Sequence, residues 1–295
     1  MKIDLQIHTT HSDGRNTPRE IIGLAKRGGL GVIAITDHDT VSSIKECSSE
    51  AKKFGIKVIP AVEITTGYRK KPLHVLGYGI DMTNPQFVSF LNKIAVYRKR
   101  HFIKQIPRLN KNLTEKGKRL VDIKKYSHVG PKYYSIPGLA LFVYEEKIVE
   151  GRNDGFYYLR GISDVAPPVN PRDAFAIIHK AGGKAFLSHP FAPLISLKEI
   201  IKDKKEQDKI ISNFKKQGMD GLECYQTGHN SKDIDFILSL SKKYGLLISA
   251  GSDWHGSLNQ TGKTIKEYLP YYLKKLGNLV VPKRKVKEIL TGILQ

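Results

Sequence analysis

The sequence is poor in cysteine, tryptophan and methionine, with 2, 1 and 3 of each among 295 residues. Two cysteines, Cys47 and Cys224, cannot build a disulfide framework. A stapled secreted module is therefore excluded, and a reducing cytoplasm is the expected compartment. No apolar run approaches the roughly 18 residues needed to cross a bilayer, which excludes a membrane-spanning chain. The opening residues Met1-Lys2-Ile3-Asp4 carry an acid where a secretory signal has its apolar core. Acidic residues are also scarce: 28 Asp and Glu stand against 49 Lys and Arg, a net charge of +21. Such an imbalance favours anionic partners, whether phosphate esters, nucleotides or nucleic acid. Low-complexity tracts and repeats of fixed period are absent. At 40% apolar and 26% charged residues, the composition is that of a folded chain with a sizeable core, not a disordered one.

The first 80 residues alternate strand and helix signals. Residues 3–7 predict a short strand. Thr17-Pro18-Arg19-Glu20 opens a helix: Thr17 caps it, Pro18 suits its first position and Glu20 completes a capping box, before Gly28-Gly29 stops it. Residues 31–36 form a continuous β-rich run of the buried parallel kind. A second helix is predicted over 41–54, with strands over 57–62 and 72–78. The rhythm resumes late in the chain, with strands over 184–188, 221–225 and 246–250 and helices over 197–217 and 231–244. Alternation of this kind predicts an α/β fold with a parallel sheet or a barrel. The middle differs. Residues 92–147 hold 14 Lys and Arg against 4 Asp and Glu, lose the strand rhythm and are interrupted by Pro107, Pro131 and Pro137. They predict an inserted basic helical segment. A second basic stretch, residues 263–287, has 8 cations against the single acid Glu267 and is either a polyanion site or solvated surface.

Residues of metal-ligand type recur at one class of position. His8 follows the first strand, Asp37-His38-Asp39 the second and Glu63 the third. His74 lies in the fourth. Ser188-His189-Pro190 follows the next, Glu223 ends another, and Ser252-Asp253-Trp254-His255 follows the last. In a barrel, the C-terminal ends of parallel strands converge on one mouth, where active sites sit. A lone histidine is usually structural; five at equivalent positions are hard to obtain by chance. Imidazole and carboxylate without thiolate suit Zn²⁺, Mn²⁺ or Fe²⁺. Several such ions together bind a phosphate, acidify a bridging water and neutralise transition-state charge.

The string Asp4-Leu5-Gln6-Ile7-His8, with Ser12-Asp13-Gly14 after it, resembles the opening motif of the PHP (polymerase and histidinol phosphatase) family. Thr36-Asp37-His38-Asp39-Thr40 resembles the second motif. Glu63 with Leu73-His74-Val75-Leu76-Gly77-Tyr78-Gly79-Ile80-Asp81 resembles the third. Ala181-Gly182-Gly183 with Ser188-His189-Pro190, and Gly251-Ser252-Asp253-Trp254-His255-Gly256, resemble the last ones. The likeness covers most of the chain and is nearest to the single-domain branch that acts on nucleotide phosphates and short RNA ends.

The resemblance implies a distorted (β/α)7 TIM-like barrel, built from residues 1–90 and 165–295, with 91–164 as the insertion. It implies up to three divalent ions. One would take His8, Glu63 and Asp253, with position 6 as a further ligand; a second Asp13, His38 and His255; a third Glu63, His74 and His189. A metal-bridging hydroxide would attack phosphorus, among Asp13, His38, Glu63, Asp253 and His255. Arg98, Arg100 and Arg108 lie where the family grips substrate phosphate, a task suited to the planar fork of Arg; the other reading is a solvated basic helix face. The family normally has His at position 6. Gln6 here either ligates more weakly or only hydrogen-bonds beside the site. The branch also carries an Arg-Pro-His element, for which the nearest equivalent is Ile136-Pro137-Gly138, so one phosphate contact is missing.

The remaining polar residues receive plainer expectations. Asp37 and Asp39 are read as partners orienting an imidazole or as helix caps, and Glu223 as the close of a strand. His11 is read as solvent-facing or beside the site. His101, His128, His179 and His229 are expected at the surface. Tyr133-Tyr134 and Tyr157-Tyr158 either stack on bases, as aromatics do in single-strand binders, or pack in a core or rim. Ser188-His189 is not a hydrolase dyad, because neighbours in a strand point to opposite faces. The leading expectation is a cytoplasmic, metal-dependent phosphoric ester hydrolase acting on nucleotides of the 3′,5′-bisphosphate type or on short RNA 5′ ends. The alternatives are a catalytically weakened barrel that binds nucleotides or nucleic acid through its basic surface, and a histidinol-phosphate phosphatase.

Overall fold

The computed structural model describes residues 1–295 apart from 152, 165, 194 and 257–275. Seven strands follow one another around a single sheet in chain order: β1 (Lys2–Ile7), β2 (Leu30–Ile35), β3 (Lys57–Tyr68), β4 (Lys71–Tyr78), β5 (Lys184–Leu187), β6 (Gly221–Gln226) and β7 (Leu247–Gly251). The sheet curls until its two edges meet. His8 N donates to Trp254 O at 2.8 Å and Trp254 N to Gln6 O at 3.2 Å, so β1 and the chain after β7 nearly close a barrel. Alternation along β1 explains the lining. Ile3, Leu5 and Ile7 pack into apolar clusters. Asp4, Gln6 and His8 share the other face and point across the lumen, Asp4 to Ser252 N at 2.8 Å and Gln6 to Ser188 Oγ at 3.0 Å.

The barrel is α/β, as expected, but not all parallel. β4 runs antiparallel to both β3 and β5. The strand expected over 57–62 continues to Tyr68 and turns straight into β4. Arg69 and Lys70 make that turn with φ of 50° and 64°, the left-handed pair that a tight hairpin requires. Neither is Gly or Asn, so the hairpin has no compositional signature.

The first helix, α1 (Pro18–Gly28), has the expected capping box: Thr17 Oγ1 accepts from Glu20 N and the Glu20 carboxylate accepts from Thr17 N. The second, α2 (Ile44–Lys52), is shorter than expected. The helix expected over 197–217 is two, Leu197–Ile200 and Lys204–Lys216, because Asp203 caps a fresh start by accepting from Glu206 N. A long helix, α3 (Pro85–Thr114), runs through Pro107. Loss of one backbone donor there is outweighed by burial of Phe102, Ile106, Leu109 and Leu113 on one side. Those residues form a second apolar cluster with Tyr126, Leu139, Phe142 and Val143, separate from the one in the barrel. The start of the same helix packs Phe87, Leu91 and Ile94 into the barrel core, so one rod joins the two. No described helix is long and apolar enough to cross a membrane. Most of the basic stretch 263–287 lies outside the described residues.

Candidate metal centre

The ends of the strands and the loops beyond them deliver the histidines to one place. β1 ends at Ile7, and the chain then folds back on itself, with Gly14 N donating to Thr9 O at 3.0 Å. A Cβ at Gly14 would sit 2.4 Å from His8 O, so only glycine permits this turn. It returns Asp13 beside His8. Asp37 fastens the loop: its carboxylate accepts from Thr9 N at 2.7 Å, Thr9 Oγ1 at 2.8 Å and Ser12 Oγ at 2.6 Å, and also from Ser43 Oγ. Asp37 thus holds no imidazole and caps no helix. It pins the segment that carries two predicted ligands.

Glu63 is the hub and is fully buried. Its Oε2 lies 3.1 Å from His8 Nε2 and 3.8 Å from His38 Nδ1; its Oε1 lies 3.2 Å from His74 Nδ1 and 3.0 Å from His189 Nε2. Asp253 Oδ1 is 3.2 Å from His8 Nε2. Asp13 Oδ1 is 3.3 Å from His255 Nε2, and its Oδ2 is 3.9 Å from His38 Nε2. Burial alone would raise the Glu63 and Asp13 carboxyls. The crowd of imidazoles reverses this: His38 and His74 for Glu63, His255 and His38 for Asp13, so both are held well below the usual carboxylate range. At His38 burial outweighs the pull of Asp13 and Glu63 and brings the ring down to about 3.

Three sets of donor atoms lie within 4.8 Å of one another: His8, Glu63 and Asp253; His8, Asp13, His38 and His255; and His38, Glu63 and His74. The first matches the trio expected for one ion. The second contains the expected second trio with His8 added. The third holds Glu63 and His74, with His189 beside them at Glu63 Oε1. The fit to cations can be tested on the lone pairs. His8 Nδ1 and Nε2, His38 Nδ1, Asp13 Oδ1, Glu63 Oε2 and Asp253 Oδ1 are all buried without an aligned hydrogen bond. Buried polar atoms are rarely left so, and these converge. An imidazole and carboxylate set of this kind fits divalent ions.

Backbone strain marks the same place. Asp39, His189 and Asp253 all have positive φ, at 55°, 27° and 57°. At His189 the reason is visible. β5 stops at Leu187, and the left-handed residue turns the chain so that Ser188 Oγ (2.6 Å) and His189 Nε2 both reach Glu63 Oε1. The expectation that these neighbours point to opposite faces fails because it holds only inside a strand. Glu223, read as a strand end, accepts from His189 N at 2.8 Å and so fixes the turn. Gln6 donates from Nε2 to Ser188 Oγ, while its Oε1 is buried without a partner.

The site opens into a cavity of about 660 Å³. Its floor is the cluster; its far wall is apolar, with Ile136, Pro137, Phe156, Leu159 and Ile162 from the insertion. Of the three arginines expected to grip phosphate, only Arg98 reaches it. Arg98 is no solvated face: it is buried, with Nη1 on Asp39 Oδ2 at 2.8 Å and Thr65 Oγ1 at 2.7 Å, and Nε on Tyr134 O at 2.7 Å. Arg100 lies in a groove beside Pro167 and Pro168, and Arg108 packs under the turn at Gly161. The cavity includes Arg160, which carried no motif and was missed. Tyr134 and Tyr158 pack in the insertion core, Tyr133 packs against its edge, and Tyr157 is 63% exposed at the cavity. Of the histidines expected at the surface, His229 is instead buried: Nδ1 lies 2.9 Å from Cys224 O, and Nε2 accepts from Phe191 N at 3.3 Å.

The PHP domain matches residues 4–150. Residues 4–150 of the chain are thus similar to the PHP domain. A relative described as a 5′-3′ exoribonuclease of Haemophilus influenzae is 29% identical over 264 residues, covering 86% of this chain and 90% of that protein. The 3′,5′-nucleoside bisphosphate phosphatase of Chromobacterium violaceum is 26% identical over 258 residues, covering 86% and 87%. A solved structure from Bifidobacterium adolescentis, suggested to be a metal-dependent phosphoesterase, superposes with a TM-score of 0.75 at 24% identity, covering 99% of this chain and 96% of that one. This last likeness shows that the two chains share the same fold.

Proposed function

We propose that this chain is a metal-dependent phosphoesterase that hydrolyses phosphate esters of nucleotides or at the 5′ ends of short RNA. One observation carries the reading: imidazole and carboxylate lone pairs of His8, Asp13, His38, Glu63 and Asp253, from four separate segments, converge without an aligned hydrogen bond on the floor of one cavity. His8, Glu63 and Asp253 would hold one divalent ion with the Gln6 carbonyl as a further donor, Asp13, His38 and His255 a second, and Glu63, His74 and His189 a third. Mn²⁺, Zn²⁺ and Fe²⁺ all suit this donor set. Bound ions there supply Lewis acidity, charge neutralisation and a more acidic water.

The chain's own residues do the rest. Glu63 keeps the imidazoles in register and stays ionised. Asp37 and Glu223 fix the loops that present His8, Asp13 and His189. The apolar wall excludes water and offers a surface to a nucleoside. The nucleotide class is supported by the relatives, which are described as an exoribonuclease and a nucleoside bisphosphate phosphatase and align over most of this chain. The buried free thiols of Cys47 and Cys224 support a reducing cytoplasm.

The test uses the full chain loaded with Mn²⁺. Metal is counted by mass spectrometry, and phosphate release is followed from adenosine 3′,5′-bisphosphate and from a 5′-phosphorylated dinucleotide. Retained metal and turnover that a chelator abolishes are expected. A chain that takes up no metal and turns over neither substrate refutes the reading.

A further inference from the structure

At about 660 Å³ the cavity is much larger than a single phosphate requires, and its outer end has a chemistry of its own. At the inner end sits the cluster. At the outer end, Arg160 and Tyr157 lie on the rim, both exposed. The cavity's other arginine, Arg98, is committed to Asp39, Thr65 and Tyr134. Arg160 has no side-chain hydrogen bond or ion pair among the described residues, although it borders a cavity that holds several carboxylates.

Its placement is built. Asn112 on α3 donates from Nδ2 to both Tyr158 O at 2.7 Å and Arg160 O at 2.8 Å, clamping the turn on either side. Gly161 follows in the left-handed region at φ 74°, where a Cβ would lie 2.9 Å from the Arg108 guanidinium. The backbone at 160 is therefore fixed while its guanidinium is left open. Lys116 Nζ lies 6.0 Å from the centre of the Tyr157 ring, a second cation near that aromatic face. An exposed aromatic face next to an uncommitted guanidinium suits a base stacked on the ring with a phosphoryl group in the fork.

We propose that Arg160 and Tyr157 form an outer subsite that recognises the nucleoside bearing the reacting phosphate together with a second phosphoryl group on it, making them specificity-determining residues. The inference rests on the proposed phosphoesterase reading. The second group is either a terminal monoester, as in a nucleoside 3′,5′-bisphosphate, or the diester that continues an RNA chain.

The test compares wild type with Arg160→Ala, Arg160→Lys and Tyr157→Ala. The readout is the ratio of kcat/KM for a substrate with a second phosphoryl group to that for adenosine 5′-monophosphate. Adenosine 3′,5′-bisphosphate and a 5′-phosphorylated dinucleotide serve as the two-phosphate substrates. Losing a charge-assisted contact lowers this ratio about tenfold to a hundredfold in Arg160→Ala, mainly through KM, with partial recovery in Arg160→Lys. Loss with the bisphosphate alone assigns a monoester, loss with the dinucleotide alone a diester, and either supports the subsite. Tyr157→Ala raises KM for nucleotides relative to p-nitrophenyl phosphate. An unchanged ratio in Arg160→Ala overturns the proposal. Calorimetric binding of the bisphosphate and the monophosphate to chelator-treated protein gives a second reading independent of turnover. If wild type hydrolyses nothing yet binds the bisphosphate more tightly, and Arg160→Ala erases that preference, the subsite stands and the activity falls.

Discussion

His189 illustrates what single residues decide in this molecule. Its ring contacts the Glu63 carboxylate, its backbone N–H is held by Glu223, and its φ of 27° is one that L-residues avoid. His189→Ala removes a candidate ligand. The expected loss of turnover exceeds the 10- to 100-fold typical of outer partners of a metal site, with less metal retained on dialysis. Full turnover in that variant would remove His189 from the ligand set. Gln6 makes the opposite experiment possible. Its amide already faces Ser188 across the lumen, and its oxygen is unsatisfied. Gln6→His is expected to raise the metal retained per chain, because imidazole binds these ions better than an amide oxygen; unchanged retention would show that position 6 does not serve the site. The candidate ligands were legible because each sits in a local motif. Ser188 and Glu223 were not, since their contacts depend on where a strand stops, which no nearby residue signals.

At the scale of elements, the best-read features were those with local chemistry. The capping box of α1 is one, and the hydrophobic run of β2 is another. The β3–β4 hairpin escaped because Arg69 and Lys70 carry no turn signature. The path of α3 escaped because packing overrode a proline. The same helix supplies Arg98, which joins α3 to the loop after β2 through Asp39. Breaking a buried pair leaves one charge uncompensated, so Arg98→Ala is expected to lower unfolding stability by about 3–5 kcal/mol in denaturant titrations. A change below about 1 kcal/mol would mean that water replaces the guanidinium. The link between β6 and the helix Ser231–Tyr244 is pH-sensitive for a related reason. Burial lowers His229 to about 4. In the unfolded chain it titrates near 6.5. Between these values the unfolded state binds more protons, so stability is full above about pH 6.5 and declines as pH falls toward 4. The contribution is up to about 3 kcal/mol. In His229→Gln this dependence disappears, so the stability gap to wild type narrows from pH 7.5 to pH 5; a constant gap would contradict the assignment.

For the whole molecule, the net charge of +21 is the property most directly written in the sequence and the least resolved in purpose by any one contact. Much of it sits on the insertion, where Lys and Arg of residues 92–147 outnumber acids 14 to 4. Ile136 and Pro137 of that stretch also line the apolar cavity wall. A strand of RNA whose 5′ end enters the cavity would therefore leave across a basic surface. Counterion release makes this measurable: binding weakens with salt along a log–log slope of roughly −0.7 for each phosphate neutralised on a single strand. A mononucleotide should show a slope near that of one or two phosphates. A 5′-phosphorylated ten-nucleotide RNA should show one at least twice as steep if the insertion tracks the chain. Both are measured on chelator-treated protein, so that hydrolysis does not intervene. Equal slopes would confine recognition to the cavity and leave the surface charge to speed the approach of anionic substrates, a role that would appear as salt-dependent association rates without salt-dependent selectivity.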